Sequence, residues 1–334
     1  MSHDVKEKME AVAEQKIAID LYKNGQNRKV MEPLFRWTSL VFAGLIVLSL
    51  AAMILVMVVE SWPSITTFGI RFIWDTAWNP VTLEFGALPY IYGTVVSSII
   101  AILVATPISI GCALFLTEMA PSWIRAPIGF LIELLAAIPS ILFGLWGLFV
   151  FMPFVREYIQ VPLNQFFGFI PLFAGEPRGL GMLSAGLLLA IMIIPIITAL
   201  ARDVISAVPS LQKEGALALG ATKWEVMRKV ILPYSRVGIL GAVMLGLGRA
   251  LGETMAVIMI IGNRPEINLS LLEPGQSMAG VIATQFNESI HSLHVSALIE
   301  IGLLLFLVTF LLNVIARFLI WKVSGGKNGV RVVQ

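Results

Sequence analysis

Apolar runs of membrane length are the feature that most constrains this chain. They lie at about 37–60, 89–116, 126–152, 181–201, 236–262 and 294–321. Runs of about 18 or more apolar residues read as transmembrane helices. Charge is scarce and clustered between them: 57% of the 334 residues are hydrophobic and 13% are charged, where soluble domains carry roughly 25%. Mean hydropathy is +0.88. Backbone groups in hydrocarbon must be satisfied within the chain, which leaves helices or closed barrels. Runs of this length select helices, so the expected fold class is an all-α polytopic membrane protein with six transmembrane helices.

Several function classes fall away. A net charge of +2 is too small to argue for nucleic acid. Cys112 is the single cysteine, so no intrachain disulfide forms. His3, His291 and His294 are the three histidines; no second ligand cluster accompanies the His291/His294 pair, which reads as loop histidines rather than a metal site. Residues 1–36 are charged throughout and lack the apolar core of a signal peptide, so the first span is expected to be retained.

The segments between the spans set orientation. Residues 4–23 form an expected helix, with Val5, Met9, Val12, Ile17 and Leu21 on one face and Asn24-Gly25 ending it. It reads either as a surface helix against membrane or partner, or as a solvated tail. Residues 61–88 and 153–180 are expected loops, 202–235 a long polar connection, and 322–334 a tail. Prolines 107, 139 and 195 fall inside spans and require compensation by neighbouring helices. Eighteen Lys/Arg lie on the side of the termini and of 202–235, and four on the other. That asymmetry places both termini and the 202–235 connection of a multi-pass chain in the cytoplasm.

The cytoplasmic connection carries a local design. Ser210 is placed to cap a helix over 211–219, and Gly220 to end it. Thr222-Lys223-Trp224-Glu225 fits a capping box for a second helix, which Pro233 is expected to stop. Helix, glycine elbow and helix make a projecting knob; an ordinary loop with two helical turns is the plainer alternative.

Deep in the fifth span stand Arg249 and Glu253. In a continuous helix they share one face, about 6 Å apart along the axis. Charges at such depth usually face a bundle interior or an aqueous path. They either neutralise each other, or Arg249 attracts an anion with its permanently charged planar fork. Glu253 then either holds Arg249 when the path is empty or accepts a hydrogen bond from a protonated oxyanion such as hydrogenphosphate. Gly248 and Gly252 form a small-xxx-small pattern that permits close approach. Thr94, Ser97, Ser98, Ser140, Thr198 and Thr254 read as packing residues, and Glu133 and Glu300 as interfacial anchors.

Glu214, Ala216, Gly220, Leu232 and Pro233 match the pattern E-A-A-x3-G-x9-I-x-L-P of ABC importer permeases, with Gly215 and Val230 at the two departing positions. The runs GLGRALGETMAVIMIIGN, KVILPYSRVGILGAVML, LPYIYGTVVSSIIAILVATPISIG, FLTEMAP and IELLAAIPSILFGLWGLF resemble the phosphate-specific permease family of the Pst ABC importers, over about residues 88–262. The resemblance implies a type I ABC importer (MetI-like) fold and a role as half of the translocation pathway for inorganic phosphate. It implies that Glu214, Gly215, Ala216, Gly220, Leu232 and Pro233 belong to the segment that couples to an ATPase. It further implies a PstA-like second permease, a PstB-like ATPase dimer binding ATP and Mg, and a PstS-like binding protein. No G-x-x-x-x-G-K-[ST] motif occurs in the chain, so no cofactor is expected here and the chain is not expected to be an enzyme. The alternatives are an ion-coupled secondary anion carrier and an ABC permease for molybdate or sulfate.

Overall fold

The computed structural model of the chain describes residues 3–323. Six helices among the described residues are long and apolar enough to cross a membrane: Phe35–Phe68, Leu88–Met119, Ser140–Phe167, Met182–Ser206, Lys223–Gly252 and Ser292–Phe318. The chain divides into two units, 1–59 and 60–334. The first is part of a single helix, α1 (His3–Phe68), with no buried side chain among those described. Asn24-Gly25 does not end it; an isolated helical glycine costs only about 1 kcal/mol relative to alanine. The side chains of the expected amphipathic face over 4–23, and the tail beyond 323, lie outside the described residues.

In the second unit, a short helix α2 (Arg71–Trp74) leads into a two-stranded antiparallel hairpin, β1 (Trp78–Asn79) and β2 (Glu84–Phe85), with Trp78 opposite Phe85. The second span is α3 (Leu88–Leu114), extended by a π turn, Phe115–Met119. Next comes α4 (Ser122–Ala136). The third span is assembled from α5 (Ser140–Trp146), a π turn (Gly147–Phe151), α6 (Met152–Val155), a second π turn (Arg156–Gln160) and α7 (Val161–Phe167). The fourth span is α8 (Met182–Ser206).

The polar connection holds α9 (Ser210–Ala218). After the elbow come α10 (Lys223–Val226), a π turn (Met227–Ile231) and α11 (Leu232–Gly252), which together form the fifth span. Then follow α12 (Met255–Ile260), α13 (Met278–Gln285) and α14 (Ser292–Val323), the last containing the sixth span.

The π turns follow a rule in the sequence. They end at Met119, Phe151, Gln160 and Ile231, each two residues before a proline: Pro121, Pro153, Pro162 and Pro233. Proline offers no N–H and its ring presses on the preceding turn. A locally widened turn accommodates both.

Two expected spans are corrected by this. The third is not 126–152. Pro139 takes an extended conformation (φ −57, ψ 136) and starts a new helix at Ser140, so 122–136 is a separate helix. The helix then passes Pro153 and Pro162 through π turns, and most of 153–167 is helical rather than loop. The fifth span is not 236–262. It begins at Lys223, because Pro233 is accommodated instead of terminating the helix, and it stops at Gly252.

Small residues close the core. Ala101 and Ala105 of α3 meet Ala185, Leu189 and Ile193 of α8, with Ala242 and Ala250 of α11 and Val257 of α12 against the same seam. A second cluster packs Phe72, Phe85 and Tyr90 against Met278, Ala297 and Ile301. A third gathers Ala113, Ile205, Val226, Met227, Ile231 and Ile239 where α3, α8 and the start of the fifth span meet.

Candidate functional site

The elbow forms by local chemistry. Gly220 has φ +86, a conformation side chains rarely adopt, while a Cβ there would meet no atom within 4 Å. Backbone strain alone therefore selects glycine. The Ala221 amide donates to the Ala216 carbonyl at 3.1 Å and the Gly220 amide to Leu217 at 2.9 Å, a Schellman ending for α9. The expected capping box is present: the Glu225 amide donates to Thr222 Oγ1 at 3.3 Å, and the Thr222 amide to Glu225 Oε2 at 3.0 Å. Ser210 does not cap α9. Pro209 occupies that position, and Ser210 is already helical. Glu214, Gly215, Gly220 and Pro233 are exposed, whereas Ala216 and Leu232 pack on the third cluster. Leu211, Leu219 and Trp224 are 80%, 91% and 64% exposed, so the knob presents an apolar tip.

From Thr222 the helix runs without interruption to Gly252. At about 1.5 Å per residue, Arg249 lies about 40 Å from the cap. The capped helix and the fifth span are one continuous element, which does not end at Pro233.

That element ends at the charged site. Glu253 is extended (φ −70, ψ 128) and Thr254 precedes α12. Arg249 and Glu253 therefore do not share a helical face. Glu253 is buried at 8% exposure, and its Oε1 accepts from the Ala256 amide at 3.5 Å. Arg249 is exposed, and among the described residues it makes no ion pair, with Glu253 or any other group. Gly241, Gly248 and Gly252 of α11 would each place a Cβ with nothing within 4 Å. The face of α11 that carries Arg249 is thus left open by the rest of the chain.

Polar residues on the spans divide by role. Thr94 donates to the Tyr90 carbonyl and accepts from the Met278 amide, both at 2.8 Å, which is a packing role. Glu133 pairs with Arg202 at 2.9 Å, joining α4 to α8. Glu300 is 7% exposed and its Oε2 has no partner. Sequence reasoning missed one pair altogether: Lys213 Nζ lies 2.6 Å from Glu118 Oε1 across 95 positions. The only signal was the acidic residue within the FLTEMAP run. His291 and His294 line an open pocket with Gln285 and Glu288, and no group of three metal-ligating side chains occurs among the described residues.

Residues 105–324 match the family described as "binding-protein-dependent transport system inner membrane component". The chain belongs to that family. Within this inner membrane component family, it is 51% identical over 305 residues to a protein of Pasteurella multocida named "Phosphate transport system permease protein PstC", covering 90% of this chain and 95% of that one. A protein of the same name from Haemophilus influenzae is 50% identical over 306 residues, covering 90% and 97%. Its fold is also that of a solved bacterial ABC transporter involved in import of the acidic polysaccharide alginate. There the TM-score is 0.53 at 14% identity, over 91% of this chain and 99% of that one. The fold is therefore the MetI-like permease fold of ABC importers, in a multi-pass membrane protein.

Proposed function

We propose that this chain is one of two permease subunits of an ATP-driven importer of inorganic phosphate. The observation that carries the reading is Arg249: a guanidinium near the end of an apolar helix, without an ion-pair partner among the described residues, on an open face lined by glycines. A permanent charge left unpaired at membrane depth is costly unless the face borders water or a partner. A planar fork there suits a tetrahedral oxyanion. Glu253, at the break that follows, supplies an acceptor for the proton of hydrogenphosphate, which sulfate lacks. Irregular backbone within an apolar stretch is tolerated where it lines a cavity or is buried in protein, and broken helices carry binding sites in other transporters. The relatives' name supports phosphate over other oxyanions, and the family description supports a binding protein as donor.

The remaining parts follow. Glu214, Gly215, Ala216 and Gly220 of the elbow dock on a PstB-like ATPase that holds ATP and Mg, while Leu232 and Pro233 carry its motion into α11. A PstA-like subunit covers the open face of α11, and a PstS-like protein delivers phosphate from outside. Both termini are cytoplasmic by the Lys/Arg asymmetry. The chain performs no covalent chemistry; nucleotide-driven rocking of α10–α11 shifts the path between outward-facing and inward-facing states.

The test is radiolabelled phosphate uptake by Arg249→Lys, Arg249→Gln and Arg249→Ala at matched membrane levels. Losing charge-assisted hydrogen bonds of about 2 kcal/mol predicts a fall of roughly thirtyfold for alanine, with lysine intermediate. Unchanged uptake removes Arg249 from the anion path. An ion-coupled carrier would instead show uptake independent of ATP.

A further inference from the structure

The elbow helix is weakly embedded. None of the residues of α9 is buried. Among the described residues one ion pair joins it to the second span, Lys213 Nζ to Glu118 Oε1 at 2.6 Å, with each side chain retaining 21% exposure. Ala216 also packs on the third cluster, which includes Ala113 of that span. Glu118 sits in the π turn Phe115–Met119 that ends that span. Beside the pair lies a cavity of about 420 Å³ lined by Met119, Leu217, Trp224, Met227 and Ile231. Side chains do not fill the space between elbow and span at this point. The ion pair, part-buried and hence less screened than one on the surface, spans the gap there.

The direct route from the elbow to Arg249 has a soft joint. It passes the π turn Met227–Ile231 and then Pro233, two features at which helices bend. A push on α9 that reached α11 only by this route would be partly absorbed there. The ion pair bypasses Pro233 and enters the second span through the π turn Phe115–Met119. It leads into α3, which packs along α8, and α8 in turn packs against α11.

We infer that Lys213 and Glu118 form a strut that passes movement of the elbow sideways into the second span, in parallel with the direct route through α10 and α11. The two residues are positioning residues, not substrate contacts. The inference rests on the reading of the elbow as the ATPase-docking segment.

The experiment uses the complete importer in proteoliposomes. It measures radiolabelled phosphate taken up per ATP hydrolysed, and the ATPase retained on purification. Variants are Glu118→Gln, Lys213→Gln and the double reversal Glu118→Lys with Lys213→Glu. Both single variants are expected to retain the ATPase and its hydrolysis, while phosphate per ATP falls about tenfold. The reversal should regain most of that loss, as double-mutant cycles show for charges in contact. An unchanged ratio in the single variants overturns the strut, and so does a loss that the reversal leaves in place. Loss of the ATPase from the single variants overturns it too, because the pair would then belong to the docking surface. ATP-independent uptake by the unaltered complex sinks the coupling reading, and the strut with it.

Discussion

Gly186 of α8 and Gly248 of α11 are both mid-helix glycines in apolar spans, yet their surroundings are opposite. A Cβ at Gly186 would meet Ile100 Cβ at 2.6 Å and the Ser97 carbonyl at 3.1 Å, whereas one at Gly248 would meet nothing within 4 Å. At the first position glycine permits α3 and α8 to approach, so the seam is completed by this chain alone. At the second the same residue type leaves a face that this chain does not cover. Arg249 lies on that face, exposed and without an ion pair among the described residues. A closed seam is a fold feature; an open small-residue face beside a lone charge is a place for something else. Small residues therefore locate close approaches, and only the neighbours reveal whether the approaching group is inside the chain.

The contrast can be broken at several points. The largest effect is expected at Gly93, where an added Cβ would collide with the backbone carbonyl of Gln276. Backbone cannot swing aside as a side chain can, so Gly93→Ala should destabilise the chain by about 3 kcal/mol. Thermal unfolding in detergent would register this; a melting curve like that of the unaltered chain would mean that the 274–277 loop is not seated on α3. Next is Gly220→Ala, whose cost of about 1–2 kcal/mol is purely conformational. Its expected readout is loss of copurifying ATPase with little change in the membrane level of the chain.

Thr222→Ala removes one half of the capping box and should cost about 1 kcal/mol of helix stability at the start of the fifth span, read as faster hydrogen exchange over 223–228. The smallest loss of stability belongs to the open face. Gly248→Ala should raise the stability of the isolated chain by up to about 1 kcal/mol, the helical preference for alanine, and Arg249→Ala should leave it within about 0.5 kcal/mol of the parent. Both should nonetheless impair the assembled importer. If either one lowers the stability of the chain alone by several times that amount, the face is not open and the comparison fails.

Much of the fold was legible because its signals are local. Apolar length marks a span within about twenty residues, and the Thr222–Glu225 box and Gly220 ending are read from four to six residues each. Proline was the systematic source of error. Pro233 and Pro153 read as stops, since a proline removes a hydrogen bond wherever it occurs. Whether a helix ends or widens there depends on what packs around it, and α8 with the third cluster holds the fifth span continuous. The Arg249–Glu253 relation failed for a similar reason. Their spacing of four implies one face only if the helix continues, and the helix stops at Gly252, with Glu253 in an extended conformation. The Glu118–Lys213 pair joins segments 95 positions apart and no spacing rule reaches that far.

The sequence by itself determined the solvent of this protein, the number of its spans, its elbow and the presence of two charges in an apolar span. These depend on composition and on contacts within one or two helical turns. Tertiary structure alone decided where the fifth span begins and ends, that Glu253 is buried while Arg249 faces outward, and which glycines are filled against and which are left bare. Those outcomes depend on the shapes of helices distant in sequence. Packing in a membrane is driven by close fit and polar satisfaction rather than by hydrophobicity, so a hydropathy pattern cannot encode them.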